Sequence, residues 1–167
     1  SDEYRFLLNC EVIRDNQVIY QANAFNDTVI HSKALDMLGF DAYVDGVFVH
    51  SQHADGFIVS TPSGSTAYAL SSGGPIIHPS MEAIVLLPIC PHTLSSRPIV
   101  ISSHSTVEIK IHEKDASNAR VVTDGQDVLD LQVGDTVKVS RKAKPARLIH
   151  PPNYDYYEIL RAKLNWG

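Results

Sequence analysis

The segment DGFIVSTPSGSTAY, residues 55–68, runs from an apolar strand through a loop of small hydroxylated residues into the start of a helix. Gly64 has no side chain, so a ligand could approach the backbone closely there, and a helix N-terminus offers unpaired N–H groups to an anion or a base edge. Tyr68 adds a flat aromatic face. Taken alone, these residues are better explained as an ordinary strand–turn–helix connection, because small-residue loops before helices are common.

Short strand-like segments separated by turn residues surround this stretch. Three dipeptides favour tight hairpin turns, because Asp, Asn and Gly tolerate left-handed backbone: Asp15-Asn16, Asp45-Gly46 and Asp124-Gly125. They join strand-like segments at residues 5–13 and 17–20, 42–44 and 47–49, and 120–122 and 128–133. Residues 106–112 and 135–140 alternate apolar and polar side chains as half-buried strands do, and the apolar residues 83–90 fit a buried strand.

Helical signals are few. A short helix is predicted over residues 65–72, closed by Gly73-Gly74. A second is predicted over residues 154–164, with Asn153 as its cap and a face composed of Tyr157, Leu160 and Leu164. The sequence therefore predicts a mainly β fold, a distorted β-sandwich of short antiparallel strands with a few short helices, as one domain over residues 1–167.

Composition narrows the classes of function. The chain has 167 residues and a net charge of −5, so no global positive field favours nucleic acid or anionic lipid. No apolar run is long enough to span a bilayer, and no membrane partner is expected. Two widely separated cysteines, Cys10 and Cys90, make a poor disulfide framework, which favours the reducing cytoplasm.

Several motifs in a fixed order give the sequence a resemblance to the NAD kinase family. Residues 55–68 resemble the signature segment of that family, and four further blocks agree in the same order along nearly the whole chain. These blocks are Asn26-Asp27 with the strand that follows it, residues 73–79 (GGPIIHP), residues 88–98 (PICPHTLSSRP) and residues 124–126 (DGQ).

The resemblance implies an enzyme that transfers the γ-phosphoryl group of ATP, or of polyphosphate, to the 2′-hydroxyl of the adenosine ribose of NAD, giving NADP. Mg²⁺ would arrive with ATP. It also implies subunits of two domains, assembled as dimers or tetramers. An N-terminal α/β domain carries a Gly-Gly-Asp-Gly motif with the catalytic aspartate, and a β-rich C-terminal domain supplies most of the NAD pocket.

No Gly-Gly-Asp-Gly occurs in this chain, whose one Gly-Gly pair, Gly73-Gly74, is followed by Pro75. The expectation is therefore an excised C-terminal domain that binds NAD and is inactive alone, with the catalytic residue outside it. Two rival interpretations stay open. One is a lipid kinase of the diacylglycerol or sphingosine type, against which the polar loop of residues 60–68 argues. The other is a non-catalytic nucleotide-binding module.

The resemblance also carries NAD-binding roles onto individual positions. An amide can hydrogen-bond adenine and a carboxylate can accept hydrogen bonds from a ribose diol, although Asn-Asp also suits a plain turn. His53 matches a position often basic in the family, Ala69 and Leu70 also suit a core, and Gln126 lies in a hairpin turn that aligns poorly. The expected NAD-binding residues are Asn26, Asp27, His53, Asp55, Thr66, Ala67, Tyr68, Ala69, Leu70, Ser71 and Gln126.

No protein metal site is predicted. The chain has eight histidines, and the pair His50 and His53 has the spacing of two ligands but lacks acidic or cysteine partners. Any Mg²⁺ is expected to be held by the nucleotide phosphates.

Overall fold

Two antiparallel sheets of six strands each form the core of the protein in the computed structural model, which describes residues 1–34 and 36–167. The first sheet runs in the spatial order β3 (Gln17–Ala24), β2 (Leu8–Arg14), β13 (Thr136–Arg141), β10 (Val107–Ile111), β5 (Leu38–Val44) and β6 (Val47–Ala54). The second runs in the order β12 (Asp127–Asp130), β11 (Ala119–Thr123), β4 (Asp27–Ser32), β7 (Gly56–Ser60), β8 (Ala83–Ile89) and β9 (Ile99–Ser102). The β-sandwich expected from the sequence is confirmed.

The hairpin turns have the backbone that their residues favour. Asp15 and Asn16 have φ of 51° and 62°, and Asp45 and Gly46 have φ of 50° and 78°. Asp124, with φ of 49°, begins a turn that connects β11 to β12. All three predicted turns are confirmed, because left-handed backbone at two successive positions matches the twist of paired strands.

The main core lies between the two sheets. Each strand places alternate side chains inward, so that Val12 and Phe40 of the first sheet meet Ile30 and Phe57 of the second in one buried cluster. The rings of Phe40 and Phe57 lie 5.0 Å apart. This packing fixes which residues of β4 and β7 point away from the core.

The outer face of the second sheet is only partly covered. A 3-10 turn (Ser63–Thr66) and the short helix α1 (Tyr68–Ser71) lie over it. The buried Ser65 fastens this covering segment, since its Oγ donates to the Pro62 carbonyl at 2.6 Å and accepts from the Ile77 amide at 2.9 Å. A second apolar cluster results, composed of Val29, Ile58, Ala69, Ile77, Ala83, Val85 and Leu87.

The helix predicted over residues 65–72 is therefore two shorter pieces. Ala67 separates them with φ of −105° and ψ of −125°, which no helix accommodates. Its predicted end is confirmed, since Gly73 has φ of 87°. The strand predicted over residues 5–13 is likewise divided, because β1 (Asp2–Arg5) leaves the sandwich to pair with β14 (Ala146–Ile149).

Two short helices complete the chain. Helix α2 (Glu113–Ala116) follows β10, and α3 (Tyr156–Leu164) is capped by Asp155, whose carboxylate accepts from the amides of Tyr157 and Glu158. The cap predicted at Asn153 was wrong, because Asp155 is the residue that stands directly before the first turn. Leu160 is buried as expected, but Tyr157 is 57% exposed. Among the described helices, none has the length and hydrophobicity needed to cross a membrane.

Candidate functional site

A groove of about 360 Å³ opens on the outer face of the second sheet, beside the covering segment. It is lined by Asp27, Val29, His31, Ser32, Ala34, Asp55, Tyr68, Ile89, Val122 and Gly125. Alternation along β4 explains its position: Asp27, Val29 and His31 point outward while the side chains between them point into the core. Val122 of β11 pairs with Val29 and extends the surface of the sheet that forms the floor of the groove.

The groove combines an apolar floor with acidic walls. Val29, Val122 and Ile89 supply apolar surface, and Asp27 and Asp55 supply two carboxyl groups. Tyr68 presents a ring that is 48% exposed. Among the described residues that line the groove, none is a lysine or arginine. The site can thus accept hydrogen bonds and stack a flat ring, but it offers little to a phosphate.

Asp27 is the buried acid of the site. Only 4% of the residue is exposed, at the point where β4 begins. Burial, and then the charge of Asp124, raise the pKa of Asp27 to about 6. A carboxyl group with such a pKa changes charge near neutral pH and can either accept or donate a hydrogen bond there.

Asp124 lies beside the segment that leads into β4. Its Oδ2 accepts from the Phe25 amide at 2.7 Å, and its Oδ1 accepts from the amides of Asn26 at 2.8 Å and Asp27 at 3.1 Å. The Asp124 amide donates in return to the Asp27 carbonyl at 3.0 Å. The turn between β11 and β12 is therefore joined directly to residues 25–27.

The loop of small residues packs against the same segment from the other side. The Asn26 carbonyl accepts from the Thr61 amide at 2.9 Å, and Thr61 Oγ1 accepts from the Gly64 amide at 3.1 Å. A Cβ on Gly64 would lie 2.1 Å from the Asn26 carbonyl oxygen. Gly64 is buried, and the protein's own backbone occupies the space that a side chain would fill. The sequence had suggested that a ligand would occupy this space.

Three of the residues expected to bind NAD line the groove together: Asp27, Asp55 and Tyr68. They come from β4, from the junction of β6 and β7, and from α1. Asn26 is half-buried directly before Asp27, and Gln126 is exposed beside the groove residue Gly125. Roles for all of them in binding stay predictions.

The other expected residues lie around or away from the groove. Thr66 and Ala67 are half-buried in the covering segment, where Thr66 Oγ1 accepts from Lys163 Nζ at 3.3 Å. Ser71 donates to the Tyr68 carbonyl at 2.8 Å. Ala69 is fully buried in the second apolar cluster, and Leu70 is half-buried.

His53 lies on the first sheet, outside the groove. Its ring packs against that of His112, with centroids 5.6 Å apart. Its role in NAD binding stays a prediction.

Most of the apolar lining of the groove was not anticipated from the sequence. Val29 and His31 carry a usable signal, since alternation along β4 places both on the face of Asp27. Val122 and Ile89 carry no such signal, because only the pairing of β11 with β4 and of β8 with β7 brings them to the groove.

Within the described residues, the cysteines and the possible metal ligands form no further site. Cys10 and Cys90 are both free thiols, the first buried and the second exposed. Across residues 1–34 and 36–167, no three His, Cys, Asp or Glu side chains converge in a way that could hold a metal ion.

Comparison with known sequences gives a consistent family. The profile described as the ATP-NAD kinase C-terminal domain matches residues 25–151. An NAD kinase of Thiobacillus denitrificans is 49% identical over 166 residues, covering 99% of this chain and 57% of the relative. An NAD kinase of Pseudomonas entomophila is 51% identical, with 99% of this chain and 56% of the relative covered. The chain thus spans little more than half the length of these relatives.

Solved structures agree with the sequences. A yeast NADH kinase complexed with NADH superposes with a TM-score of 0.90 at 30% identity, over 98% of this chain and 50% of that one. An NAD kinase of Archaeoglobus fulgidus in complex with ATP superposes with a TM-score of 0.82 at 29% identity, over 99% of this chain and 61% of that one. With its sandwich, its ordered motifs and a profile match over most of its length, this chain belongs to the ATP-NAD kinase C-terminal domain family.

Proposed function

We propose that this chain is the NAD-binding part of an NAD kinase, which transfers the γ-phosphoryl group of ATP to the 2′-hydroxyl of the adenosine ribose of NAD. The observation that carries the proposal is the groove, where two carboxyl groups and an exposed tyrosine ring meet over an apolar floor in a chain of this family. The NADH and ATP named for the two structural relatives support a nucleotide ligand.

The groove suits the nucleoside portion of NAD. The carboxylates of Asp27 and Asp55 can accept hydrogen bonds from ribose hydroxyls, and the ring of Tyr68 can stack on a base. The apolar floor formed by Val29 and Val122 can cover the base edge. Because no cation lines the described part of the groove, the pyrophosphate is proposed to lie outside it.

Phosphoryl transfer itself is proposed for the longer protein. The reaction needs donor phosphates held in line with the acceptor and their charge neutralised by Mg²⁺, which we propose arrives with ATP. Within this chain, the contribution is to bind and orient NAD. The family match gives no support to the lipid-kinase alternative.

Assembly and location are also proposals. Val47, Phe48 and Val49 of the edge strand β6 are exposed, at 67%, 55% and 37%. Exposed apolar edge strands favour pairing, which supports the dimer or tetramer that the family resemblance implies. The cytoplasmic location stays a prediction.

Truncating two of the side chains expected to bind NAD should weaken NAD binding. Asn26→Ala and Tyr68→Ala should each reduce the binding free energy by about 1–3 kcal/mol, because each removes polar contacts or a stacking face from a desolvated ligand. Calorimetric titration of NAD into each variant measures the change, with sphingosine as a competing ligand class.

Two substitutions away from the groove serve as controls. Asn23→Ala, on the exposed part of β3, and Tyr157→Ala, with a ring on the exposed side of α3, should leave the affinity unchanged. Parent-like NAD binding by both Asn26→Ala and Tyr68→Ala would mean that the site lies elsewhere. Binding of sphingosine without NAD would favour the lipid-kinase class.

A further inference from the structure

Both oxygens of the Asp124 carboxylate accept hydrogen bonds from the protein itself. It receives three consecutive main-chain amides, those of Phe25, Asn26 and Asp27, at 2.7, 2.8 and 3.1 Å. Hydrogen bonds to an ionised acceptor are stronger than those between neutral groups. With both oxygens so engaged, this side chain is poorly placed to bind a ligand but well placed to fix a segment of backbone.

The segment that Asp124 holds is the one that presents the groove acid. Asp27 begins β4, and its carbonyl accepts the Asp124 amide at 3.0 Å, so the two residues are joined in both directions. From the opposite side, the Asn26 carbonyl accepts from the Thr61 amide at 2.9 Å. Residues 25–27 are thus held between the turn that follows β11 and the loop that follows β7.

The other two hairpin turns that begin with aspartate gather fewer amides. Asp45 Oδ1 accepts one, from Thr106 at 2.8 Å, and the Asp45 amide donates to the Thr106 carbonyl at 2.9 Å. Asp15 has nearly the same φ as Asp124, 51° against 49°. Asp15 is exposed, and in the described structure its carboxylate accepts no hydrogen bond. Left-handed φ at the first residue of a turn therefore does not by itself bring three amides to the carboxylate, as it does not at Asp15 or Asp45.

We infer that Asp124 is a positioning residue for nucleoside binding, which sets Asn26 and Asp27 at the mouth of the groove by gathering the three main-chain amides of residues 25–27. The three hydrogen bonds from residues 25–27 to Asp124, called the clamp below, are observed in the structure. Only the identity of the ligand rests on the proposed function. Asp124 makes no contact with NAD in this account. Its effect on affinity passes through the orientation of residues 26 and 27.

The substitution Asp124→Asn tests this role. Asparagine keeps the shape but has one acceptor oxygen and no charge, so the three amides lose their shared anion. The amide proton resonances of residues 25–27 should move upfield in NMR spectra. The dissociation constant for NAD should rise about tenfold or more, as expected when charge-assisted hydrogen bonds that orient a binding segment are lost.

A second spectroscopic readout tests whether an ionised Asp124 lies beside Asp27. The carboxyl carbon of Asp27 should titrate at lower pH in Asp124→Asn, because a neighbouring negative charge has been removed. The other titratable groups that share the groove, His31, Asp55 and Tyr68, are unchanged in this variant. Asp15→Asn makes the same chemical change at an exposed turn and should alter neither the resonances of residues 25–27 nor the affinity.

The possible results test the clamp, its role in binding and the proposed function separately. Unmoved amide resonances of residues 25–27 would overturn the clamp, and moved resonances with unchanged NAD affinity would overturn its role in binding. A parent chain that fails to bind NAD would overturn the proposed function alone. If Asp124→Asn does not fold, Asp124→Ser decides, since its neutral hydroxyl can accept at most part of the three hydrogen bonds and the same amide resonances should move upfield.

Discussion

Gly64→Ala should lower the free energy of unfolding by about 3 kcal/mol and remove most NAD binding, because overpacking against backbone is costly to relieve. The added Cβ would lie 2.1 Å from the Asn26 carbonyl oxygen and 2.6 Å from its carbon. Either the loop or residues 25–27 must move. Denaturant titration with a parallel calorimetric titration of NAD measures both effects.

Gly46→Ala provides the control for loss of a glycine. Gly46 has φ of 78° at an exposed turn, and nothing lies within 4 Å of an added Cβ there. That substitution should cost about 1–2 kcal/mol through left-handed backbone strain and leave NAD affinity unchanged. If Gly64→Ala were no more harmful than Gly46→Ala, the close packing described for the loop would be wrong.

Asp27→Asn should stabilise the protein at pH 8 while weakening NAD binding. Burial and Asp124 raise the pKa of Asp27 from an ordinary value of 3.8 to about 6, so the folded state binds this proton more tightly than the unfolded chain does. The stability due to the bound proton is complete below about pH 4 and is lost as pH rises through about 6. Above that range the ionised carboxylate costs on the order of 3 kcal/mol, which a neutral amide avoids.

The measurement is the free energy of unfolding of parent and variant between pH 4 and pH 8. The parent should lose stability across this range relative to Asp27→Asn, while Asp15→Asn, at an exposed turn, should follow the parent. NAD affinity should fall in Asp27→Asn, because an amide accepts fewer hydrogen bonds from a diol than a carboxylate does. A variant less stable than the parent at pH 8, with the same pH dependence, would contradict the account of Asp27.

Local chemistry explains the parts of the fold that the sequence could predict. Asp15-Asn16 and Asp45-Gly46 specify their turns because few other residues accept left-handed backbone. Strand pairing between distant parts of the chain explains where the predicted strand bounds were wrong. The strand predicted over residues 5–13 divides because β1 pairs with β14, a partner more than 140 residues away that no local pattern indicates.

The site also combines residues that the sequence could indicate with contacts that depend on long-range packing. Ordered motifs brought Asp27, Asp55 and Tyr68 into consideration, and all three line one groove. The contact of Asp124 with Phe25 spans 99 positions along the chain, so its importance could not be deduced from spacing. Likewise, the break at Ala67 reflects how the covering segment fits the sheet, which helix propensity does not reveal.

We expect NAD to occupy the groove on the outer face of the second sheet. Methyl NMR during an NAD titration tests it most directly, with probes at Val29, Ile89 and Val122 in the groove. Val18 and Ile19, exposed on β3 of the first sheet, serve as reference methyls. We predict saturable shifts of the three groove residues with the two reference residues unmoved. NAD binding that leaves all three groove residues unshifted would contradict the account.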